Sequence, residues 1–337
     1  MVAVPDCVEP LPPAGPVTWV LHDGKPGMAS QALGLAEAAG FPFVERPLTV
    51  RAPWVWLPPQ LWRRPLQAVH DALGQALRPP WPDLVVACGR NAAMPALAIR
   101  RAAAGSTIAA QVQDPRVGRN EFDVLFVPEH DRLRGPRVVV TRGALHRVTP
   151  ARLAAERRRF PELAAMPRPI LSVLIGGNNR AYRLSLARLK EIADAIAALA
   201  RTTGGSVLLT PSRRTGEAGL ALLRDRLAKA RAAIWNGSSP NPYFAYLALA
   251  DALFVTADSV SMISEAAATG KPVHVLELPG GDAKFRRFHA AMREAGVTRP
   301  FDGRLESWSY APPDDTARAG AGLRVLVLDR LAARVTA

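Results

Sequence analysis

The sequence is short of cysteine, of acid relative to base, and of long apolar runs. Its two cysteines, Cys7 and Cys88, lie far apart and match no metal-ligand spacing. No disulfide framework or cysteine–zinc site is therefore encoded, and a reducing cytoplasmic setting is expected. No stretch approaches the roughly 20 apolar residues of a membrane-spanning helix. The opening MVAVPDCVEPLPPAG carries Asp6, Glu9 and four prolines. It lacks the basic start and apolar centre of a secretory signal, so it reads as a loose leader over residues 1–15. Zinc knuckles, aromatic ribonucleoprotein motifs and basic heptads are also missing, and no nucleic-acid partner is expected. The surplus of base, 43 Lys and Arg against 29 Asp and Glu, gives a net charge of +14. Apart from Arg157, Arg158 and Arg159 the arginines are scattered. An arginine-rich composition with no specific partner explains this first, and an anionic membrane surface second.

What is present is a long, 49% apolar chain of 337 residues, enough for about two domains. Its clearest unit is LFVTADSVSMISEAAATGKPVHVLEL, residues 253–278. A short apolar run leads into a polar turn holding Thr256, Asp258, Ser259 and Ser261. A helix follows, stopped by Gly270 and Pro272, and then a second apolar strand. A strand–turn–helix of this kind leaves free N–H groups beside small hydroxyls at the carboxyl edge of a parallel sheet, where phosphate binds. Glu265 follows Ser259 by about one and a half turns and could reach a ribose hydroxyl. An ordinary helix cap by the serines accounts for the same residues.

Strand–turn–helix units recur along the chain. Strands are expected at 17–21, 83–88, 107–112, 122–127 and 138–140, and again at 170–175, 206–209, 234–236, 253–255 and 273–278. Helices are expected between them, including 92–104 with Pro95 in its first turn, and a final helix over 317–335. Trp54, Trp56 and Trp62 sit among proline-rich turns and read first as core, second as a lipid-headgroup contact. The charged, proline-bounded residues 147–169 read as a linker. The first loop, HDGKPGMASQ, is neither GxGxxG nor a Walker loop, but brings His22, Asp23 and Lys25 to a sheet edge. Asp114, Glu129, His130 and His146 follow later strands. In the second half, the turns at 176–180, 210–215 and 256–265 share one edge if the sheet is parallel. They supply glycines, hydroxyls and Arg180, Arg213 and Arg214, whose forked guanidinium groups suit a diphosphate. Exposed arginines of a basic protein are the plainer reading of the same cations.

The motifs VLIGGNN at 173–179, TPSRRT at 210–215 and VTADSVSMISEAAATGKPV at 255–273 occur together with QDPR at 113–116, PEHD at 128–131 and TRGALHRVTP at 141–150. As a set they resemble the elongated-mitochondria fission family, over nearly the whole chain. That resemblance implies an α/β fold of GT-B type: two Rossmann-like domains with an interdomain cleft. The division it suggests is an acceptor-side domain over 1–160, a nucleotide-sugar-binding domain over 161–312, and a C-terminal helix, 313–337, packing back on the first. It implies a glycosyltransferase that uses a nucleotide-diphosphate sugar as co-substrate, without a metal or other cofactor, on a lipid-linked or envelope acceptor. Gly177 and Asn178 would approach the diphosphate, with Arg180, Ser212, Arg213 and Arg214 beside them. Ser259, Ser261 and the Met262 amide would hold phosphate, and Glu265 the ribose. Asp23 or His22 would be the general base, with Asp114 and His130 behind them. The alternative that the plant members suggest is a non-catalytic adaptor of the same fold, peripheral on the cytoplasmic face of a membrane. It would recruit a partner such as a dynamin-like GTPase.

Overall fold

Segments such as LVVAC and ILSVLI have no polar face, so they are stable only as strands covered on both sides, as in a parallel sheet. In the computed structural model every residue of both segments is buried. The structure describes residues 15–238 and 240–335. Most of the expected leader, and Cys7, lie outside the described residues. The chain divides into two compact units, one of residues up to Leu125 together with Gly320 onward, the other Phe126–Ala319.

In the first unit, β1 (Thr18–His22) leads to α1 (Pro26–Ala39), β2 (Phe43–Pro47), β3 (Leu84–Cys88), α2 (Arg90–Ala102) and β4 (Ile108–Val112). The strands pair in parallel, β2 and β3 flanking β1 and β4 beyond β3. Further along, β5 (Val124–Pro128) crosses the division at Leu125/Phe126, and β6 (Val138–Thr141) lies in the second unit. Helix α2 starts two residues earlier than expected, which moves Pro95 from the first turn to the helix interior. Between β2 and β3 the chain forms a two-stranded antiparallel ribbon, Thr49–Val50 with Val69–His70, enclosing two short 3-10 turns. The C-terminal helix runs from Asp315 to Val335. From Gly320 on it belongs to the first unit, where a Cβ on Gly320 would stand 2.4 Å from that of Ala38. Arg324 there donates to the Ala39 carbonyl at 3.0 Å and lies over the Phe41 ring.

In the second unit, residues read as a linker carry α3 (Pro150–Arg159). Thr149 caps this helix, Leu153 packs on the core and Arg152 lies over Phe244. There follow β7 (Ile170–Ile175), α4 (Leu186–Thr203), β8 (Ser206–Pro211), α5 (Gly216–Leu227), β9 (Ala232–Ile234), α6 (Tyr243–Leu249), β10 (Ala252–Thr256), α7 (Val260–Ala267), β11 (Val273–Leu276), α8 (Ala283–Glu294) and β12 (Thr298–Pro300). The sheet order is β9-β8-β7-β10-β11-β12, parallel throughout. The central strands β8, β7 and β10 therefore end at one edge, side by side. No helix among the described residues is long and apolar enough to cross a membrane.

Candidate functional site

Parallel pairing fixes where the three polar turns go: those after β7, β8 and β10 meet at one carboxyl rim. Hydrogen bonds then tie them together. The Gly176 N–H donates to Thr256 Oγ1 at 2.8 Å and the Gly177 N–H to Asp258 Oδ2 at 3.0 Å. Ser212 Oγ donates to the Gly176 carbonyl at 2.7 Å. Arg214 Nη1 reaches the Gly177 carbonyl at 2.8 Å and Asp258 Oδ2 at 2.7 Å. The two glycines are required by this crossing. A Cβ on Gly176 would stand 2.3 Å from both Asp258 oxygens, and one on Gly177 2.5 Å from the Arg214 backbone C and O. The close approach expected of an incoming diphosphate is thus made by the chain itself, and an internal carboxylate, Asp258, sits where the turns converge.

The remaining rim residues fall into two groups. Asn178 and Asn179 brace their own loop: Asn178 Oδ1 accepts from Leu184 N, and Asn179 Oδ1 from Ala181 N and Tyr182 N. Ser259 caps α7, its Oγ accepting from Met262 N at 3.3 Å. Glu265 is buried on α7 and accepts a 2.6 Å bond from the Tyr243 hydroxyl on α6. Burial and the adjacent Glu265 carboxylate hold the Tyr243 phenol well above its usual range, so that hydroxyl stays a donor. Arg180 and Arg213, by contrast, are exposed and form no ion pair among the described residues. Ser261 is half-buried in the first turn of α7. Neither Asp258 as the hub nor Tyr243 as the partner of Glu265 was singled out from the sequence. The DS dipeptide at the helix start was the available signal for the first, and nothing local pointed to the second.

In the first unit, His22 is buried at the end of β1. Its Nδ1 accepts the Gly24 N–H at 3.1 Å, which places the proton on Nε2, 2.9 Å from Glu45 Oε1. The accepting nitrogen is therefore already used. Asp23 accepts from Lys25 N at 3.3 Å and pairs with the Lys25 ammonium. Asp114 is engaged by Arg119 at 2.8 and 2.6 Å and by Arg116 N. Burial pushes its pKa up, but the Arg119 and Arg116 contacts outweigh it and hold the carboxyl below its usual value.

In the second unit, His130 Nδ1 is buried with no hydrogen-bond partner among the described residues, and the His130 carbonyl accepts from Arg287 at 2.8 and 3.0 Å. Burial, then the nearby Lys284 charge, push its pKa down to about 4. His146 is pushed down to about 4 by burial as well. Among the described residues, no group of three or more His, Cys, Asp or Glu is placed to hold a metal.

A sequence model of the family described as Mitochondrial fission ELM1 matches residues 26–326. The Arabidopsis thaliana mitochondrial fission protein ELM1 is 37% identical over 271 residues, covering 72% of this chain and 63% of the plant protein. The chain thus spans less than two thirds of that relative's length. Among solved structures, the UDP-GlcNAc 2-epimerase of Methanocaldococcus jannaschii aligns with a TM-score of 0.57 at 12% identity, over 93% of this chain and 99% of its own. The structure of the M. jannaschii UDP-GlcNAc 2-epimerase in complex with UDP-GlcNAc and UDP aligns at 0.52 and 13%, with the same coverage. At such identities the likeness is one of fold, and the fold is α/β of GT-B type, with Rossmann-like parallel sheets.

Proposed function

The chain belongs to the mitochondrial fission ELM1 family, and from that premise and the rim of β7, β8 and β10 we propose that it binds a nucleotide-diphosphate sugar and acts as a glycosyltransferase. The observation that carries this reading is that Arg180, Arg213 and the start of α7 follow the ends of three adjacent strands, with Glu265 further along α7. Arg180 and Arg213 are the cations left over for a diphosphate once Arg214 is committed to Asp258. Ser259, Ser261 and the positive end of α7 complement the same charge. Glu265, released from Tyr243, would accept from a ribose hydroxyl. In the transfer, the acceptor oxygen bonds to the sugar's anomeric carbon as the bond from that carbon to the diphosphate breaks. A general base must take the acceptor's proton, and of the first unit's two candidates Asp23 is the one retained, because His22 already spends its accepting nitrogen on Gly24. The leaving diphosphate is stabilised by guanidinium groups and the helix end, with no metal required. A uridine diphosphate donor is the first to test, since a fold neighbour was solved with UDP-GlcNAc and UDP.

Isothermal titration with UDP and UDP-GlcNAc tests the reading. We expect saturable binding that weakens by roughly tenfold or more in Arg180→Ala/Arg213→Ala, as two charge-assisted contacts imply. Absence of binding at millimolar nucleotide, or equal binding by the double variant, would overturn it.

A second reading is a GT-B-fold adaptor, peripheral on the cytoplasmic face of a membrane, that recruits a partner such as a dynamin-like GTPase. The satisfied rim favours it, because Gly177 N–H, Ser212, Ser259 and Glu265 already have partners within the protein. It predicts partner capture that persists when nucleotide binding is removed.

A further inference from the structure

Three tryptophans lie within the loop between the strands of the two-stranded ribbon, and the structure separates them. Trp62 is buried and donates from Nε1 to the carbonyls of both Trp54, at 3.1 Å, and Leu57, at 3.2 Å. It acts as a peg that holds two successive 3-10 turns, Trp54–Trp56 and Pro59–Leu61. Fixed on those turns and facing outward are Trp56, 77% exposed, Leu61, 59%, Val55, 56%, and Leu57, 41%. Large apolar side chains exposed singly are ordinary; four within seven residues on a braced turn mark a contact surface.

The charges carried by the loop itself are of one sign. Residues 47–70 contain Arg51, Arg63 and Arg64 and no Asp or Glu. All three arginines are exposed, and Arg63 and Arg64 form no ion pair among the described residues. The turn's own N–H groups are spent internally, from Val55, Trp56, Leu57, Leu61 and Trp62 to carbonyls within the loop. An outside partner is therefore offered apolar side chains and guanidinium groups, and little backbone. Packing against a second copy about a two-fold axis would set these arginines against their own kind. An anionic bilayer surface takes both chemistries at once. Indole and leucine enter the headgroup boundary, and guanidinium forks pair with phosphate oxygens.

We propose that residues 54–64 form a membrane-docking wedge specific for anionic lipid, with Trp56 and Leu61 inserting and Arg51, Arg63 and Arg64 binding phosphate. The wedge lies in the first unit and does not depend on nucleotide binding at the rim of the second. Because its turns are braced before contact, little ordering is lost on docking.

Flotation of the full chain with vesicles tests the proposal, comparing phosphatidylcholine alone with phosphatidylcholine mixed with phosphatidylglycerol. Binding is expected only with the anionic lipid, and it should fall as salt rises. Trp56→Ser and, separately, Arg63→Glu/Arg64→Glu should each weaken it roughly tenfold or more, given about tenfold per 1.4 kcal/mol and about 1 kcal/mol per basic residue at such a surface. Unchanged circular dichroism and unchanged nucleotide titration would show that these variants remain folded. Trp56→Phe should keep most of the binding. Equal binding to both vesicle types, or variants that bind like the wild type, would overturn the proposal. So would a dimer, seen by light scattering, that Trp56→Ser dissolves, since the patch would then be an interface between copies.

Discussion

Replacing Asp258 separates the forces that hold the rim together. Its side chain is wholly buried, accepts the Gly177 N–H at 3.0 Å and pairs with Arg214 at 2.7 Å, while Oδ1 has no hydrogen-bond partner among the described residues. Asp258→Ala strands the buried Gly177 N–H, which costs about 1–3 kcal/mol. It also frees Arg214, but that side chain is 39% exposed and can turn to water. The total therefore falls toward ~2–3 kcal/mol, below the 3–5 of a fully buried pair broken from one side. Arg214→Ala should cost more, because the side chain left behind is the buried carboxylate and because Arg214 also donates to the Gly177 carbonyl. Asp258→Asn keeps an acceptor for Gly177 and the shape of the side chain, and should cost only about 1 kcal/mol. The expected order of destabilisation is Arg214→Ala, then Asp258→Ala, then Asp258→Asn, read by urea denaturation at neutral pH. Nucleotide affinity should move differently. Asp258→Asn removes the charge that holds Arg214, so a nucleotide that has to open this pair should bind more tightly in the Asn variant, read by titration with UDP. An Asn variant as unstable as Ala would show that the charge, not the Gly177 bond, holds the rim. An Ala variant within about 0.5 kcal/mol of wild type, the range of ordinary surface changes, would refute the hub altogether.

Two further expectations concern the second unit. Gly177→Ala drives a Cβ to within 2.5 Å of the Arg214 peptide, a backbone neighbour that cannot swing away. The loss should be about 1–3 kcal/mol or more, visible as a lower denaturation midpoint. Acid should destabilise the protein through His130 and His146, both held at about 4 by burial. Their folded pKa values lie below the unfolded value of about 6.5, so the unfolded chain binds protons first as pH falls. The stability is intact above about pH 6.5 and is lost toward pH 4, by at most roughly 3 kcal/mol for each histidine. Chemical denaturation at a series of pH values, repeated with His130→Gln, should show a shallower acid dependence in the variant.

The parallel sheets were legible because their strands are continuous apolar runs closed by polar turns. Ile170–Ile175 was bounded correctly to the residue, since ILSVLI admits no amphipathic helix and GGNN ends it sharply. Features that depend on neighbours in space were hidden. Leu153 and Arg152 meet α6 from a stretch so charged that it reads as a connector. Tyr243 precedes Glu265 by 22 residues, and neither turn chemistry nor helical spacing couples them. Trp56 and Trp62 are the same residue type six positions apart. Only the turn between them decides that one fills the core and the other faces water.

Glycine shows most clearly where sequence reading stops. GGNN after a buried strand states that something comes close to the backbone at 176 and 177, because a Cβ there must be missing for a reason. It does not state what comes close. Here the visitors are the Asp258 carboxylate and the Arg214 peptide, so the glycine pair is explained before any ligand is considered. The weight of the nucleotide reading then shifts from the glycines to the exposed cations, Arg180 and Arg213, which the fold itself does not use. A ligand that binds through those two and leaves the Asp258–Arg214 pair intact should be insensitive to Gly176→Ala except through stability. One that must open the pair should gain affinity from Asp258→Asn. The two titrations together therefore distinguish a rim that is a finished binding surface from one that a nucleotide has to unlock.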